Sequence, residues 1–355
     1  MGKLAVYKYA AAMFLTLQVV VSVFTLVGLF GGNVTPVGNT ARAMCVYILP
    51  ILIAANIVLI LYWIIRRKWL FLAIPVLTVA CCIPYIGTYY QFSLENPQKN
   101  TQNGLKIASY NVAMFKRETS GFMAQDILAE MRRQKVDILC MQEYNEISGD
   151  QKNSESYKEY FPYQQVGRSD MVIFSRYPIT GSKTILFEET NNSAMWADIN
   201  VNGKEFRVFN VHLETTGING TLHRASKTMF QQHQEVDKSR LMNAILGNYT
   251  LGLMFRSGQA ITIANEKRES EKPTILCGDF NDVPYSFVYN TVKGHMVDGF
   301  KECGAGWMYT YRGMKNKPVR IDYIFHDESI KGLAYYKTDL TYSDHFPVFM
   351  KIALQ

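Results

Sequence analysis

The chain has 355 residues, 48% of them hydrophobic, and a net charge of +7 that arises from 37 Lys and Arg against 30 Asp and Glu. Six of the basic residues and none of the acidic ones fall in residues 1–90, so the remaining 265 residues hold 31 basic and 30 acidic side chains. Nucleic-acid binders concentrate basic charge on the binding domain. The nearly neutral balance of these 265 residues therefore does not support nucleic-acid binding through net positive charge. Six cysteines in a chain of this length do not form a disulfide framework.

Three apolar stretches open the chain, at about residues 10–30, 44–65 and 69–90. Each approaches the roughly 20 residues that a helix needs to cross a bilayer, so we predict three transmembrane helices. The first stretch is longer than the apolar region of a signal peptide, and two more follow it, which disfavours a cleaved leader. A buried helical hairpin of a soluble domain is the alternative, and the absence of acidic residues argues against it. Three prolines lie inside the stretches, where neighbouring helices can satisfy the freed carbonyl groups.

Basic residues set the predicted orientation of these helices. Lys3 and Lys8 precede the first stretch, and the cluster at 66–68 separates the second from the third, so both groups are expected in the cytoplasm. Three crossings then place everything after about residue 91 outside the cytoplasm, on a multi-pass protein of the cell (inner) membrane. The polar, turn-rich segment 91–104 is predicted as a linker, and residues 105–355 as a second domain.

Short β-branched or apolar runs alternate with helical periodicity after the linker. Strand-like runs begin at residues 105 and 136, and Met123, Ile127 and Met131 recur on one face of a predicted helix between them. The further runs are MVIFSRYPI, MWADINVNGKEFRVFNVHLE, TILCGDFND, RIDYIFH and DHFPVFMKIAL. This pattern predicts a layered α/β domain with much antiparallel sheet. Two helices are expected in the least strand-like part, at about 225–246 and 256–267.

Polar side chains gather beside the strand-like runs. They are Asn111, Glu143, His212, Asp279, Asn281, Asp322, Asp344 and His345. Taken singly, each has an ordinary explanation: Asp279 and Asn281 can form an Asx turn, a lone Glu is usually solvated, and a lone His is usually structural. Their joint occurrence in one domain, each next to an apolar run, points instead to a shared site.

The same stretches resemble the signature of the endonuclease/exonuclease/phosphatase superfamily. The motifs SYN, QE, GRSDMVIFSRYPI, NVHLE, CGDFND, RIDYIF and SDHFPV occur in the superfamily's order over about residues 105–354. The resemblance implies an α/β (α+β) four-layered sandwich of two mostly antiparallel sheets flanked by helices, with a site at the rim where the sheets meet. It also implies metal-assisted in-line attack of water on phosphorus.

The resemblance assigns a metal and a water to particular residues. Glu143, supported by Asn111, would bind a divalent metal, and such an all-oxygen site favours Mg²⁺ or Mn²⁺. Asp279 would orient or deprotonate the attacking water, and Asn281 would hold the phosphoryl group as a neutral donor. One departure stands out: Ala113 occupies the position where abasic-site endonucleases carry a further acidic residue. This departure weakens the abasic-site reading and leaves a general phosphoesterase.

Two histidines complete the assignment that the resemblance implies. His212 and His345 would donate hydrogen bonds to the same phosphate from the opposite side. These hydrogen bonds would stabilise the negative charge of the pentacovalent transition state more than that of the ground state. Asp344 or Asp322 would fix the tautomer of a histidine, as carboxylate–histidine pairs do elsewhere.

The sequence therefore favours a membrane-tethered, metal-dependent phosphoesterase whose partners are a phosphoester substrate and the lipid bilayer, with no protein partner inferable. The substrate is open between nucleic acid and a phospholipid or sphingolipid headgroup, although a nearly neutral domain disfavours tight duplex binding. A non-catalytic binding module that retains the fold is the alternative, but it should have lost at least one of the polar residues, and all are present. Residues 215–256 are apolar enough to cover the site or rest on a membrane, or they pack as ordinary core helices.

Overall fold

The structure, a computed structural model, describes residues 3–100, 102–117, 122–144, 151–168, 170–188, 190–217, 221, 225, 237–313 and 319–354. The α-helices are α1 Lys3–Phe30, α2 Thr40–Met44, α3 Leu49–Ile65, α4 Ala73–Cys81, α5 Ile83–Ile86, α6 Phe122–Gln134, α7 Gln151–Tyr160, α8 Lys238–Arg268, α9 Phe287–Lys293 and α10 Gly299–Cys303. The 3₁₀ helices are Gly31–Asn33, Trp69–Leu72, Pro97–Lys99 and Ala113–Arg117.

The strands are β1 Tyr90–Gln91, β2 Leu105–Asn111, β3 Ile138–Gln142, β4 Tyr163–Val166, β5 Val172–Ser175, β6 Ile179–Leu186, β7 Ser193–Val201, β8 Lys204–His212, β9 Thr274–Asp279, β10 Val297–Asp298, β11 Gly306–Trp307, β12 Asp322–His326, β13 Gly332–Lys337 and β14 Val348–Ile352. The chain divides into two compact units. One is Met1–Thr88 with Val283–Asn290, and the other is Tyr89–Asp282 with Thr291–Gln355.

Two of the three predicted membrane spans meet the length that a crossing needs. Among the described residues, the helices long and apolar enough are Lys8–Asn33 and Trp69–Ile86. The second predicted stretch, 44–65, forms a shorter apolar helix of 17 residues, Leu49–Ile65. Pro50 explains the difference, because proline fits the first turn of a helix and would break an interior turn, so α3 begins at Leu49. Of the three predicted spans, only the first and third stretches therefore form helices long and apolar enough to cross a membrane.

Buried polar side chains join α1 to α3. The amide of Asn56 on α3 accepts a hydrogen bond from Ser22 Oγ at 3.0 Å and donates to Thr25 Oγ1 at 2.8 Å. Farther along, Trp63 Nε1 donates to Gln18 Oε1. The pairing of higher numbers on α3 with lower numbers on α1 means that the two helices run antiparallel. Between membrane helices such hydrogen bonds stabilise association, because lipid offers polar groups no alternative partner.

Two six-stranded sheets form the second unit. The first sheet has the order β13-β14-β2-β3-β5-β4, and the second has the order β10-β12-β9-β8-β7-β6. Each is mostly antiparallel and contains one parallel pair, β2 with β3 and β8 with β9, so both are mixed. The predicted sandwich of two sheets flanked by helices is confirmed.

The main core lies between the two sheets. Alternate residues of each strand point into it, so that Ile107, Cys140, Val208 and Cys277 share one buried cluster. The opposite face of the first sheet packs against α6 and α7 in a second cluster, which includes the predicted helical position Ile127. Strands buried on both faces explain why the sequence shows continuous apolar runs instead of strict alternation.

A single long helix, α8, replaces the two helices expected at about 225–246 and 256–267. Residues 226–236 of the first expected helix lie outside the described residues, and the rest of the segment is continuously helical over Lys238–Arg268. Gly252 lies inside this helix, and a Cβ there would meet the carbonyl oxygen of Thr215 at 2.6 Å. The glycine therefore marks a close approach of the helix to the chain that leaves β8, and not a break.

Candidate active site

Three of the predicted residues lie side by side in the second sheet. Asp279 ends β9, with His212 of β8 as its parallel partner and Asp322 of β12 as its antiparallel partner. All three side chains are buried. Gly278 allows this row to form, because its φ is +144° and a Cβ there would collide with the backbone of Val211 on β8. The Cys-Gly-Asp sequence thus brings a carboxylate between two other polar groups at the end of its strand.

The first sheet supplies the residues that face this row. Asn111 ends β2 beside Gln142 of β3, and Glu143 follows β3 directly. The amide nitrogen of Asn111 donates to Glu143 Oε1 and to Asp279 Oδ2, each at 3.0 Å. Asn111 therefore links a carboxylate of its own sheet to one of the other sheet. The predicted Asn111, Glu143 and Asp279 all lie together at the rim where the sheets meet.

His345, which precedes β14 of the first sheet, lies between two carboxylates of the second sheet. Its Nδ1 is 3.0 Å from Asp322 Oδ2, and its Nε2 is 3.5 Å from Asp279 Oδ2. Burial opposes the charged form, but the adjacent Asp322 and Asp279 carboxylates raise the pKa of His345 to about 10. Burial raises the pKa of Asp279 as well, against the opposing effect of His345. The two carboxylates thus favour the imidazolium form of His345.

The same three side chains could be taken for a metal site, because their ligand atoms lie within 4.8 Å of one another. Both ring nitrogens of His345 already face carboxylates, which favour the protonated ring, whereas a histidine must be neutral to bind metal. Glu143 fits a hard cation better, since its carboxylate is 33% exposed and offers oxygen ligands. As oriented, Asn111 presents nitrogen to Glu143, and its oxygen accepts from Ala113 N at 3.0 Å, so it orients the carboxylate.

His212 is held by a residue that the sequence did not single out. Its Nδ1 is 3.2 Å from Asp170 Oδ2, and its Nε2 is 3.8 Å from Glu143 Oε1. Burial lowers the pKa of His212, but Asp170, Asp279 and Glu143 outweigh it, and the pKa lies above its usual value. Asp170 was missed as a site residue although it lies within the GRSDMVIF motif. It precedes β5, which is antiparallel to β3, so the start of β5 lies beside the end of β3.

Asn281 lies just beyond β9 and forms the Asx turn that its spacing from Asp279 allows. Its backbone N–H donates to Asp279 Oδ1 at 2.8 Å, and its amide nitrogen donates to Leu213 O at 2.9 Å. The φ of Asn281 is +51°, and Glu143 at +49° is also left-handed. Such conformations are uncommon outside glycine and cluster at functional sites. The structural and functional readings of this turn are therefore compatible, because the turn fixes both side chains.

Asp344 is the one predicted residue outside the cluster. Its side chain is exposed, and the hydrogen bond recorded for it comes from Ser343 Oγ at 3.4 Å. Of the two carboxylates expected to hold a histidine, Asp322 contacts His345. Within the part of the chain that the structure describes, the side chain of Asp344 makes no hydrogen bond to the other predicted residues.

A buried polar network crosses between the sheets beneath the site. Gln142 of β3 donates to Asn210 Oδ1 of β8 at 2.6 Å, and Asn210 donates in turn to Met141 O and Val172 O at 2.9 and 3.0 Å. Gln142 immediately precedes Glu143 in sequence, and Asn210 lies two residues before His212. Hydrogen bonds in a dry core demand specific geometry, so the network fixes the register of one sheet against the other.

A buried ion pair supports the Asp279–Asn281 turn from the helical side. Arg256 of α8 and Asp282 are fully buried, with Nε 3.3 Å from Oδ2, and Arg256 also donates to Glu214 O at 2.9 Å. Arg256 thereby ties the chain that follows β8 to the chain that follows β9. No sequence signal marked this arginine, because it lies in a helix of mixed polarity.

Comparison with known proteins follows the same division of the chain. A profile of the endonuclease/exonuclease/phosphatase family matches residues 108–345, and a domain of unknown function matches residues 11–89. A search of curated proteins found no match.

Comparison with solved structures found similarity at low sequence identity, and the first structure described here shares the fold. An endonuclease/exonuclease/phosphatase from Bacteroides vulgatus is 17% identical with a TM-score of 0.51, covering 72% of this chain and 100% of its own. A mannosyl-6-phosphatase of Bacteroides thetaiotaomicron is 20% identical, with a TM-score of 0.49 and coverages of 70% and 100%. Sphingomyelinase C of Streptomyces griseocarneus is 16% identical, with a TM-score of 0.46 and coverages of 70% and 99%. The family's enzymes are hydrolases of phosphoester bonds, and this chain belongs to the endonuclease/exonuclease/phosphatase family.

Proposed function

We propose that this protein is a membrane-tethered, metal-dependent phosphoesterase that cleaves a phosphodiester or phosphomonoester by in-line attack of water. The observation that carries the proposal is the row of His212, Asp279 and Asp322 facing Asn111 and Glu143 across the rim of two sheets. A buried carboxylate next to protonatable donors and a partly exposed carboxylate is the arrangement that hydrolysis of a phosphate ester needs.

Glu143 is the proposed ligand of a divalent metal, with Asn111 orienting its carboxylate. Oxygen donors favour Mg²⁺, with Mn²⁺ as the second choice. A metal bound there supplies neutralisation of charge on the non-bridging and leaving oxygens of the phosphate. The amide oxygen of Asn111 could serve as a ligand only if the amide turned over, because the amide nitrogen faces Glu143.

Asp279 is the proposed base and Asn281 the proposed holder of the phosphoryl group. Burial raises the pKa of Asp279, which brings its basicity closer to that needed for taking a proton from water at neutral pH. Asn281 can approach an oxyanion without repelling it, because its amide is neutral. The Asx turn keeps the two groups in register, so water and phosphate would be held by the same three residues of chain.

His212 and His345 are the proposed donors that stabilise negative charge in the transition state. The raised pKa of each ring favours its protonated form, and a protonated ring can donate from both nitrogens. Asp170 and Asp322 orient the rings. Asp344, expected from its motif to act here, retains a proposed role only if the exposed carboxylate meets substrate directly.

The proposed substrate is a phosphoester that reaches the protein at a membrane. The 265 residues after the apolar region have 31 basic and 30 acidic side chains, which gives little attraction for a long polyanion such as duplex DNA. A phospholipid or sphingolipid headgroup is therefore favoured over nucleic acid.

We further propose three crossings, with residues 1–90 as a membrane domain, 91–104 as a linker and 105–355 as the catalytic domain outside the cytoplasm. The antiparallel hydrogen bonds between α1 and α3 support the middle crossing, because they lie near the centre of the first span. Seventeen residues extend about 25 Å, close to the thickness of the hydrocarbon core. Alkaline phosphatase fused after residue 100 should be active and fused after Lys68 inactive; the reverse pattern would remove one crossing.

Activity is tested with the full-length protein in detergent, using bis-p-nitrophenyl phosphate and p-nitrophenyl phosphate. Release of p-nitrophenol should require Mg²⁺ and should disappear in Asp279→Ala. Asp339→Ala is a matched control, because this carboxylate is 84% exposed and pairs only at the surface with Lys337. Equal activity of wild type and Asp279→Ala, or none in either with any phosphoester, would favour a binding module. A panel of phospholipid, sphingolipid and nucleic-acid substrates then decides the class.

A further inference from the structure

Four apolar side chains cluster at the start of the second unit and are exposed to solvent. Tyr90, Phe92, Leu94 and Trp307, here named the interface patch, are 37%, 80%, 93% and 70% exposed. Tyr90 and Trp307 are partners in the two-stranded ladder of β1 and β11, and their ring centroids lie 5.1 Å apart. Phe92, Leu94 and Trp307 are each at least 70% exposed, and they lie on this ladder or within a few residues of it. Large apolar side chains this exposed mark a surface that contacts another molecule.

The chain itself fixes where this patch must lie. Ile86 ends the candidate span Trp69–Ile86, and only three residues separate it from Tyr90. Four residue steps reach at most about 14 Å, even in a fully extended chain. Trp307 is opposite Tyr90 in the ladder, so its backbone lies only about 5 Å farther. The patch therefore cannot be far from the point where the apolar helix ends.

The patch is also held rigidly against its own unit. Met308, the residue after Trp307, is buried in the core between the sheets, and its N–H donates to Tyr89 O at 2.8 Å. Adjacent residues of a strand point to opposite sides, so burial of Met308 turns Trp307 outward. The side-chain amide of Asn100 donates a hydrogen bond to Leu333 O at 3.1 Å, and its backbone carbonyl accepts one from Lys351 Nζ at 3.1 Å. The segment predicted as a linker is thus attached to the sheets at both ends.

We propose that the interface patch inserts into the headgroup–acyl boundary of the bilayer that the preceding helix crosses. This inference rests on the membrane spans proposed above, and it adds a second attachment of the phosphoesterase to the membrane. Tyr and Trp favour this boundary because an apolar ring and a polar N–H or O–H can each find a suitable environment there. Phe92 and Leu94 lose their exposed apolar surface to the acyl chains, while Glu95 and Lys99 remain on the polar side.

Fluorescence quenching in lipid vesicles tests the proposal with the full-length protein. Vesicles of phosphatidylcholine carry bromine either near the headgroup end or near the terminal end of the acyl chains. The difference between wild type and Trp307→Phe isolates the emission of Trp307. We expect that emission to fall by about half or more with the shallow bromine and less with the deep one, as interfacial tryptophans do. Aqueous acrylamide should quench it weakly.

A matched control places a tryptophan on a surface remote from the patch in sequence. Tyr163 on the edge strand β4 is 40% exposed, so Tyr163→Trp in the Trp307→Phe background should respond to acrylamide and not to bromine. Equal behaviour of Trp307 and this control overturns the proposal. So does shielding of Trp307 from both quenchers, which indicates a protein partner or a second copy. The residual emission of Trp307→Phe comes from Trp63, Trp69 and Trp196, and Trp63 and Trp69 lie near the ends of apolar helices. Shallow-bromine quenching of this residual emission therefore reports the spans separately, so failure of the patch and failure of the tether are distinguishable.

Discussion

Replacing Arg256 by methionine should destabilise the catalytic unit strongly, because Arg256 and Asp282 are an ion pair with no exposed side-chain surface. The substitution keeps most of the volume but leaves the buried Asp282 carboxylate with one ion-pair partner fewer, and breaking such a pair costs about 3–5 kcal/mol. For a domain of this size, about 4 kcal/mol corresponds to a fall in Tm of about 8–16 °C. The free energy of unfolding of a typical domain is about 5–15 kcal/mol, so the variant should fold but with a narrow margin.

Thermal unfolding of the full-length protein in detergent, followed by near-ultraviolet circular dichroism, measures this loss. Arg256→Met combined with Asp282→Leu should recover most of the stability, because a buried pair replaced by apolar groups of similar size is often neutral. Arg132→Met is the control: its ion pair with Glu159 is exposed on both sides (43% and 78%), so the loss should be about 1 kcal/mol or less. If Arg256→Met melts within about 2 °C of wild type, or the double variant melts no higher than the single one, the energetic role given to this pair is wrong.

Four further outcomes are expected at the site. Glu143→Gln should raise the Mg²⁺ concentration needed for half-maximal activity while leaving the Tm without metal unchanged, and a large fall in Tm would make Glu143 structural. His345→Ala should lower kcat about 10²–10³-fold with little change in KM, as loss of an oxyanion donor does, and an effect on KM alone would place the ring in ground-state binding. Asp170→Asn should lower the pKa of His212, so that ring titration followed by NMR moves to lower pH; an unmoved titration would contradict the contact. Because the pKa of His345 is raised to about 10, its contribution to stability is complete below about pH 6.5 and is lost as pH rises towards 10. Unfolding by urea in EDTA should therefore become easier over that pH range in the wild type and much less so in His345→Gln.

Strand positions and most of the site were predictable from the sequence, because buried strands produce apolar runs and the polar residues interrupt them at one end. Asp279, His212 and Asn111 follow their strands and are easily recognised. Asp170 escaped notice because it precedes its strand, and only the antiparallel pairing of β5 with β3 brings it to the same rim. That pairing is a long-range feature that no local pattern encodes.

The errors have equally specific physical causes. The span predicted at 44–65 was too long because hydropathy ignores the backbone restriction at Pro50, which sets the start of α3. Two helices were expected where the structure has the continuous helix α8, and Gly252 lies between the two expected stretches, where its missing side chain allows close packing. Asp344 is adjacent in sequence to His345, but its side chain is exposed, and among the described residues it has no hydrogen bond to the other predicted residues, so its role stays a prediction.

The seam between the sheets also determines when activity can appear during folding. Asn111, Glu143 and His345 belong to the first sheet, while His212 and Asp279 belong to the second, and the contacts of Asn111 and His345 with Asp279 cross from one to the other. Neither sheet alone holds the proposed base, the proposed metal ligand and a proposed phosphate donor together. A partly folded chain with one complete sheet should therefore be inert towards phosphoesters, and the onset of hydrolysis during refolding would report docking of the two sheets, later than the formation of secondary structure.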